Sequence, residues 1–114
     1  MRLEILKLVY DVEQACSLIL AFTEGKSLDD YNEDALLRSG VERQFGIIGE
    51  ALNNALKMDP AFAEAITDIK KIIAFHNILI HGYAAINNAR VWEIIKINLP
   101  VLYQEVQDIL ILRG

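Results

Sequence analysis

The sequence predicts an all-α protein: an antiparallel up-and-down bundle of four main helices plus short ones, pairing as a homodimer. Three observations carry this. Apolar residues recur three or four apart over long stretches, the spacing of one helix face. Prolines and glycines are few, two and six in 114 residues. Hydrophobic residues make up 54% of the chain, above the roughly 45–50% usual for soluble domains. A chain this short has room for one core, so residues 1–114 are read as a single domain. The apolar surplus is most simply buried against a second copy.

The elements follow in order. Leu6, Val9, Val12, Cys16, Ile19 and Phe22 mark a first helix up to about residue 24, stopped by Gly25. Ser27 is a cap for a short helix through Leu28 and Tyr31. A long helix over residues 34–57 carries the cleanest stripe, Val41, Phe45, Ile48, Leu52 and Ala55, the seam of a bundle. Its opposite face holds Arg43, Ile47, Glu50 and Asn54, a solvated face open to an ion pair. Gly46 and Gly49 lie nearby. Each mid-helix glycine costs about 1 kcal/mol against alanine, which suggests that another backbone approaches there. Asp59-Pro60 caps and opens a short helix over residues 61–67. Next come a helix over residues 69–81 ended by Gly82, a polar loop, and a final helix over residues 89–112 that Pro100 should bend.

Charge and composition exclude several functions. Sixteen acidic against eleven basic side chains give a net charge of −5 and an isoelectric point near 4.9, so any nucleic-acid site must be a local patch. Cys16 is the only cysteine; no internal disulfide exists, and its apolar neighbours point to inert packing. No long uncharged apolar run or cleavable leader is present, which leads to the expectation of a cytoplasmic protein with no membrane contact. The acidic residues Asp29, Asp30, Glu33 and Asp34 are too dispersed for a metal cage. No metal-ligand motif or phosphate-binding loop appears, and no cofactor is expected.

The helix over residues 69–81 is apolar almost all the way round, which predicts burial. Its single polar sector is Lys70, Asn77 and His81, within about 40° of one another, and a narrow polar strip on a buried helix predicts a cleft. His81 lies in the last turn, where the negative end of the helix dipole favours imidazolium, and Tyr83 follows in the loop. This places a proton-transfer group beside a hydroxyl, although a helix-capping histidine and a packed tyrosine satisfy the same spacing. His76 interrupts an apolar stripe about 140° from His81, the place of a satisfied core or interface histidine.

The run His76 to Tyr83, HNILIHGY, with Val91, Trp92 and Glu93, then Leu99 and Pro100, and the earlier IIGEALN over Ile47 to Asn53, resembles the HEPN-domain proteins of the HepT type. The resemblance covers nearly the whole chain and keeps the order of helices. It implies an all-helical homodimer acting as the toxin of a bacterial toxin–antitoxin pair. The implied activity is a metal-independent endoribonuclease, acting on RNA such as tRNA, with its cleft at the dimer interface. The implied partner is a minimal nucleotidyltransferase of the MntA type, which neutralises the toxin by attaching AMP to the tyrosine, here Tyr83. In the family motif, arginine, four residues, histidine, one residue, tyrosine, the histidine matches His81. The polar residue after the arginine matches Asn77, and His76 stands where the arginine would be. Arginine holds a phosphate with a permanently charged planar fork, which histidine does not reproduce. The chain is thus either a natural variant or an inactivated form.

The resemblance assigns His81 as the acid–base group, Asn77 to orient substrate or stabilise the phosphate, and His76 as a weakened phosphate holder. Two copies of each across a dyad allow residues that diverge in one chain to meet. Lys70, Lys71, Arg90 and Lys96 are the basic residues available for a local RNA-binding patch. The alternative from a different class is a catalytically impaired HEPN module that binds, and is modified by, its nucleotidyltransferase.

Overall fold

The first helix, α1 (Leu3–Thr23), buries Ile5, Val9, Val12, Ala15, Cys16 and Ile19 along one stripe at helical spacing. Thr23 closes the stripe by donating its hydroxyl to the Ile19 carbonyl at 2.8 Å. Gly25 then turns the chain with a φ of +73°, a left-handed conformation that glycine adopts without steric cost. Residues 1–82 and 86–113 are described by the computed structural model, and the regular structure among them is entirely helical.

Ser27 caps α2 (Leu28–Glu33) reciprocally: its hydroxyl accepts from the Asp30 N–H at 3.1 Å, and its own N–H donates to the Asp30 carboxylate at 2.9 Å. Asp34 caps α3 (Ala35–Met58), accepting from the Leu37 N–H at 3.0 Å. The predicted seam of Val41, Phe45, Ile48, Leu52 and Ala55 is buried in full. Two contacts fix α3 antiparallel to α1. Arg2 donates to the Met58 carbonyl at 3.1 Å, and at the other end the Phe22 ring lies over Gly40, 3.4 Å from where a Cβ would stand.

The short helix after Asp59 is a 3₁₀ helix, Pro60–Ala65, ending before the predicted residue 67. The cause is tertiary: the Thr67 N–H and hydroxyl both donate to Glu105 of the last helix, at 3.1 and 2.7 Å. Then α4 (Ile69–His81) runs as predicted, with the Gly82 N–H closing on the Ile78 carbonyl at 2.8 Å. Gly82 has a φ of −117°, so the chain leaves α4 without the left-handed glycine turn seen at Gly25.

The last predicted helix is three pieces. Asn87 caps α5 (Asn88–Glu93), a π-helical segment follows over Ile94–Asn98, and α6 (Leu99–Arg113) completes the chain. Pro100 offers no N–H and its ring crowds the carbonyl four residues back; the wider turn just upstream accommodates it in place of a simple bend. The start of α6 lies beside the end of α1, with Leu20 and Thr23 facing Ile95 and Pro100 across a groove. Arg113 lines a groove together with Met1 and Ile5 at the other end, so α6 also runs antiparallel to α1. One connected core joins Ile5, Ile19, Ile48, Leu52, Leu99 and Val106.

Contrary to the expectation from its composition, α4 is not buried all round. Ile69, Ile72, Phe75 and His76 are buried, whereas Ile78 and Ile80 are 45% and 42% exposed. Among the described residues only α3 covers α4 extensively, so a helix apolar on most sides leaves Ile78 and Ile80 partly in water.

Candidate active site

The candidate residues His76, Asn77 and His81 belong to α4, and two contacts hold that helix on α3. Phe45 and Phe75 meet edge to face, with ring centroids 5.0 Å apart and planes at 87°. One turn further along α3, the His76 ring lies directly on the Gly49 backbone, and a Cβ at residue 49 would overlap the imidazole and the His76 Cβ. Close approach was expected at the mid-helix glycines, but from a backbone. The occupant at Gly49 is a side chain, and Gly46 faces open space.

His76 is 6% exposed, and its Nδ1 has no hydrogen-bond partner among the described residues. It is a core histidine, as its place in an apolar stripe predicts, but an unsatisfied one. Burial lowers its pKa below the usual value of 6.5, the Glu50 carboxylate pulls in the opposite direction, and His81 adds to the lowering. The two histidines, divergent around the helix, are thus still within electrostatic reach of each other and of Glu50. Glu50 was read as part of a solvated face. Its approach to α4 depends on the α3–α4 crossing at Gly49, which no local pattern encodes.

Asn77 and His81 are exposed on α4 together with Lys70 and Lys71. The predicted polar sector of Lys70, Asn77 and His81 is therefore real, with Ala74 completing the row, but in a single protomer it faces water rather than a cleft. Lys70 and Lys71 form no ion pair among the described residues, whereas Arg90 pairs with Glu93 at 2.8 Å. Lys96 sits over the Trp92 ring at 4.8 Å, away from the row. Arg43 and Glu50 do not pair with each other; the ion pairs among the described residues are Arg2–Glu4, Lys7–Asp11 and Arg90–Glu93. Tyr83 lies outside the described residues.

Elsewhere the chemistry is quiet. Burial and the neighbouring Glu13 push the Cys16 thiol up to about 12, so it is the inert packing group expected. Among the described residues no group of three or more His, Cys, Asp or Glu gathers to hold a metal ion, and no helix is long and apolar enough to cross a membrane.

Fold and site together define a small helical-bundle protein that presents an imidazole and an amide from the end of one partly covered helix. The chain belongs to the HepT-like ribonuclease family: the family model described as "Ribonuclease HepT-like" matches residues 12–109, from within α1 to near the end of α6. It is 32% identical over 99 residues to "Putative RNase TTE0752" of Caldanaerobacter subterraneus subsp. tengcongensis, spanning 85% of this chain and 86% of that one. It is 29% identical over 104 residues to "Putative RNase MJ1380" of Methanocaldococcus jannaschii, spanning 87% and 90%. A third relative from the same organism, "Gamma-glutamylcyclotransferase and putative RNase MJ0434", is 32% identical over 99 residues, which cover 85% of this chain and 43% of that protein. No solved structure matches the chain at a comparable level.

Proposed function

We propose that this protein is the toxin of a bacterial toxin–antitoxin pair, a metal-independent endoribonuclease that cuts RNA such as tRNA in a cleft formed by a homodimer. The observation that carries the reading is the exposure of Asn77 and His81 at the end of α4, in a chain of the HepT-like ribonuclease family. In the reaction, a base removes the proton of a ribose 2′-hydroxyl and the freed oxygen attacks the adjacent phosphorus. The bond to the 5′-oxygen breaks, and an acid protonates that leaving oxygen. The products are a 2′,3′-cyclic phosphate and a 5′-hydroxyl, and no metal takes part. One protomer offers one exposed imidazole, so a dimer supplies both base and acid from two copies of His81.

Asn77 orients the phosphate, and Lys70 and Lys71 on the same helix bind the flanking backbone, with Arg90 and Lys96 as outer contacts. His76 stands at the motif's arginine position but is sealed on Gly49. Its part in this reading is positioning: it sets the seat of α4 on α3, from which Asn77 and His81 project. Control falls to a nucleotidyltransferase of the MntA type that transfers AMP from ATP to the Tyr83 hydroxyl, releasing pyrophosphate.

One observation favours a second reading. A buried imidazole does not offer a substrate phosphate the contact an arginine would. In that case the chain is a binding module that accepts AMP without cutting RNA. Expression in bacteria separates the two. The toxin reading expects growth arrest that His81→Ala abolishes and that His76→Arg strengthens; normal growth with all three chains contradicts it. Incubation with the nucleotidyltransferase and ATP, followed by intact mass, should show AMP addition that Tyr83→Phe removes. An unchanged mass contradicts that control step in either reading.

A further inference from the structure

Thr23, His76 and Asn98 are polar residues buried in an apolar core. Thr23 bonds within its own helix and His76 rests on Gly49, but Asn98 reaches across to another segment. It stands in the buried stripe Val91, Ile94, Ile95, Leu99 and Leu102, where hydrocarbon alone would pack. Its Nδ2 donates to the Asp68 carboxylate at 2.9 Å, and its Oδ1 has no partner among the described residues. Asp68 is unusual too. It immediately precedes the first turn of α4, yet its side chain caps none of that helix's N–H groups, the ordinary use of an aspartate there. One residue earlier, Glu105 of α6 accepts from the N–H and the hydroxyl of Thr67. The two residues that lead into α4 are thus held from the last part of the chain, whereas among the described residues α4 itself packs extensively only on α3.

An orphaned amide oxygen and an unused cap both cost stability, and a buried polar pair is often replaceable by apolar residues without loss. What the pair supplies is direction, because a hydrogen bond to a carboxylate fixes geometry that hydrocarbon leaves free. The contacts on Phe45 and Gly49 touch α4 at adjacent residues, Phe75 and His76, and so form a single fulcrum. Asp68 lies eight residues before His76 and His81 five after it, about 12 Å and about 7.5 Å along the axis. A rigid helix rocking there turns a shift of about 1.5 Å at its start into about 1 Å at its end. A misplacement of about that size costs about a hundredfold where reacting atoms must align. We propose that Asn98 is a positioning residue for the candidate active site: acting through Asp68, it fixes the tilt of α4 and with it the places of Asn77 and His81. The effect on rate rests on the nuclease reading; the effect on the helix does not.

Proton–carbon NMR of the full chain tests the tilt directly, because the chain has two histidines and His81→Ala assigns their imidazole signals. Asn98→Leu changes no charge and is expected to move the His81 signals by more than a linewidth, although residue 81 lies about 20 Å along the helix from Asp68. Asp68→Ala breaks the same bond from the half-buried side, gives the same displacement, and serves if Asn98→Leu does not fold. The two combined displace the signals no further than either alone. Asp68→Asn, which keeps an oxygen facing the Asn98 amide, leaves them in place. In RNA cleavage by the wild type or His76→Arg, adding Asn98→Leu or Asp68→Ala lowers kcat at least about tenfold with KM within about twofold. Folded Asn98→Leu or Asp68→Ala with unmoved His81 signals, Asp68→Asn displaced as far as Asp68→Ala, or an unchanged kcat would each overturn the proposal. RNA left intact by both the wild type and His76→Arg overturns the nuclease reading alone, and the NMR signals then still decide whether Asn98 sets the tilt of α4.

Discussion

The two covered sides of α3 are built differently. Along its main seam it presents Val41, Ile48, Ala51, Leu52 and Ala55, all buried and apolar, with no unpartnered polar side chain among them. Toward α4 it presents Phe45 and a glycine, and the glycine seats a histidine whose Nδ1 lacks a partner. The first contact is close-packed hydrocarbon, which makes the bundle stable. The second gives up stability: one helix glycine, one orphaned nitrogen, and two isoleucines of α4 left in water. The difference teaches that α4 is positioned rather than buried, and the exposed end carrying Asn77 and His81 projects from that weaker contact.

The contrast can be broken by mutation. Leu52→Ala in the apolar seam removes a fully buried side chain and should cost about 2–5 kcal/mol, read from urea unfolding midpoints at constant slope. Gly49→Ala should destabilise by about 1–3 kcal/mol, because the added methyl meets the rigid base of the imidazole rather than a flexible tip. That loss should shrink in combination with His76→Ala, as expected for residues in contact. Ser27→Ala, outside both contacts, should cost about 1 kcal/mol through its cap. His76→Leu keeps the volume and removes the orphaned nitrogen, so near neutral pH it should change stability by less than about 1 kcal/mol, in either direction.

A pH series sharpens the same comparison. His76 has its pKa lowered in the folded state, with burial the main cause and the facing Glu50 and His81 as opposing and reinforcing charges. Between the lowered value and the unfolded value of about 6.5, the unfolded chain binds more protons. Stability should therefore be full above about 6.5 and decline as pH falls through that window. His76→Leu should flatten the decline; an identical slope in the variant would place its origin in other groups. Leu52→Ala should lower the whole curve without changing its slope there.

Much of this architecture was legible in the residues. The stripe of α3, the caps at Ser27 and Asp59 and the span of α4 all depend on local spacing and local hydrogen bonds, and they appear where expected. What was not legible depends on contacts far apart in the chain. Glu105 ends the 3₁₀ helix by taking the Thr67 N–H, 38 residues away. The π-helical segment before Pro100 reflects how the chain absorbs a proline inside a helix, with Asn98 turned inward to donate to Asp68 at 2.9 Å. For the candidate site, the row of Lys70, Asn77 and His81 was readable from helical angle. Its exposure, and the pairing of His76 with Gly49, were not, since no periodicity reveals which glycine meets which side chain.

The most direct measurement follows a short labelled RNA incubated with the purified chain in EDTA, with the ends of its fragments identified by mass spectrometry. The account predicts fragments ending in 2′,3′-cyclic phosphate and beginning with 5′-hydroxyl, formed by the wild type or, at higher rate, by His76→Arg. It predicts none from His81→Ala, which should remain folded because residue 81 is exposed. Intact RNA with both active forms, or equal cleavage by His81→Ala, would contradict it.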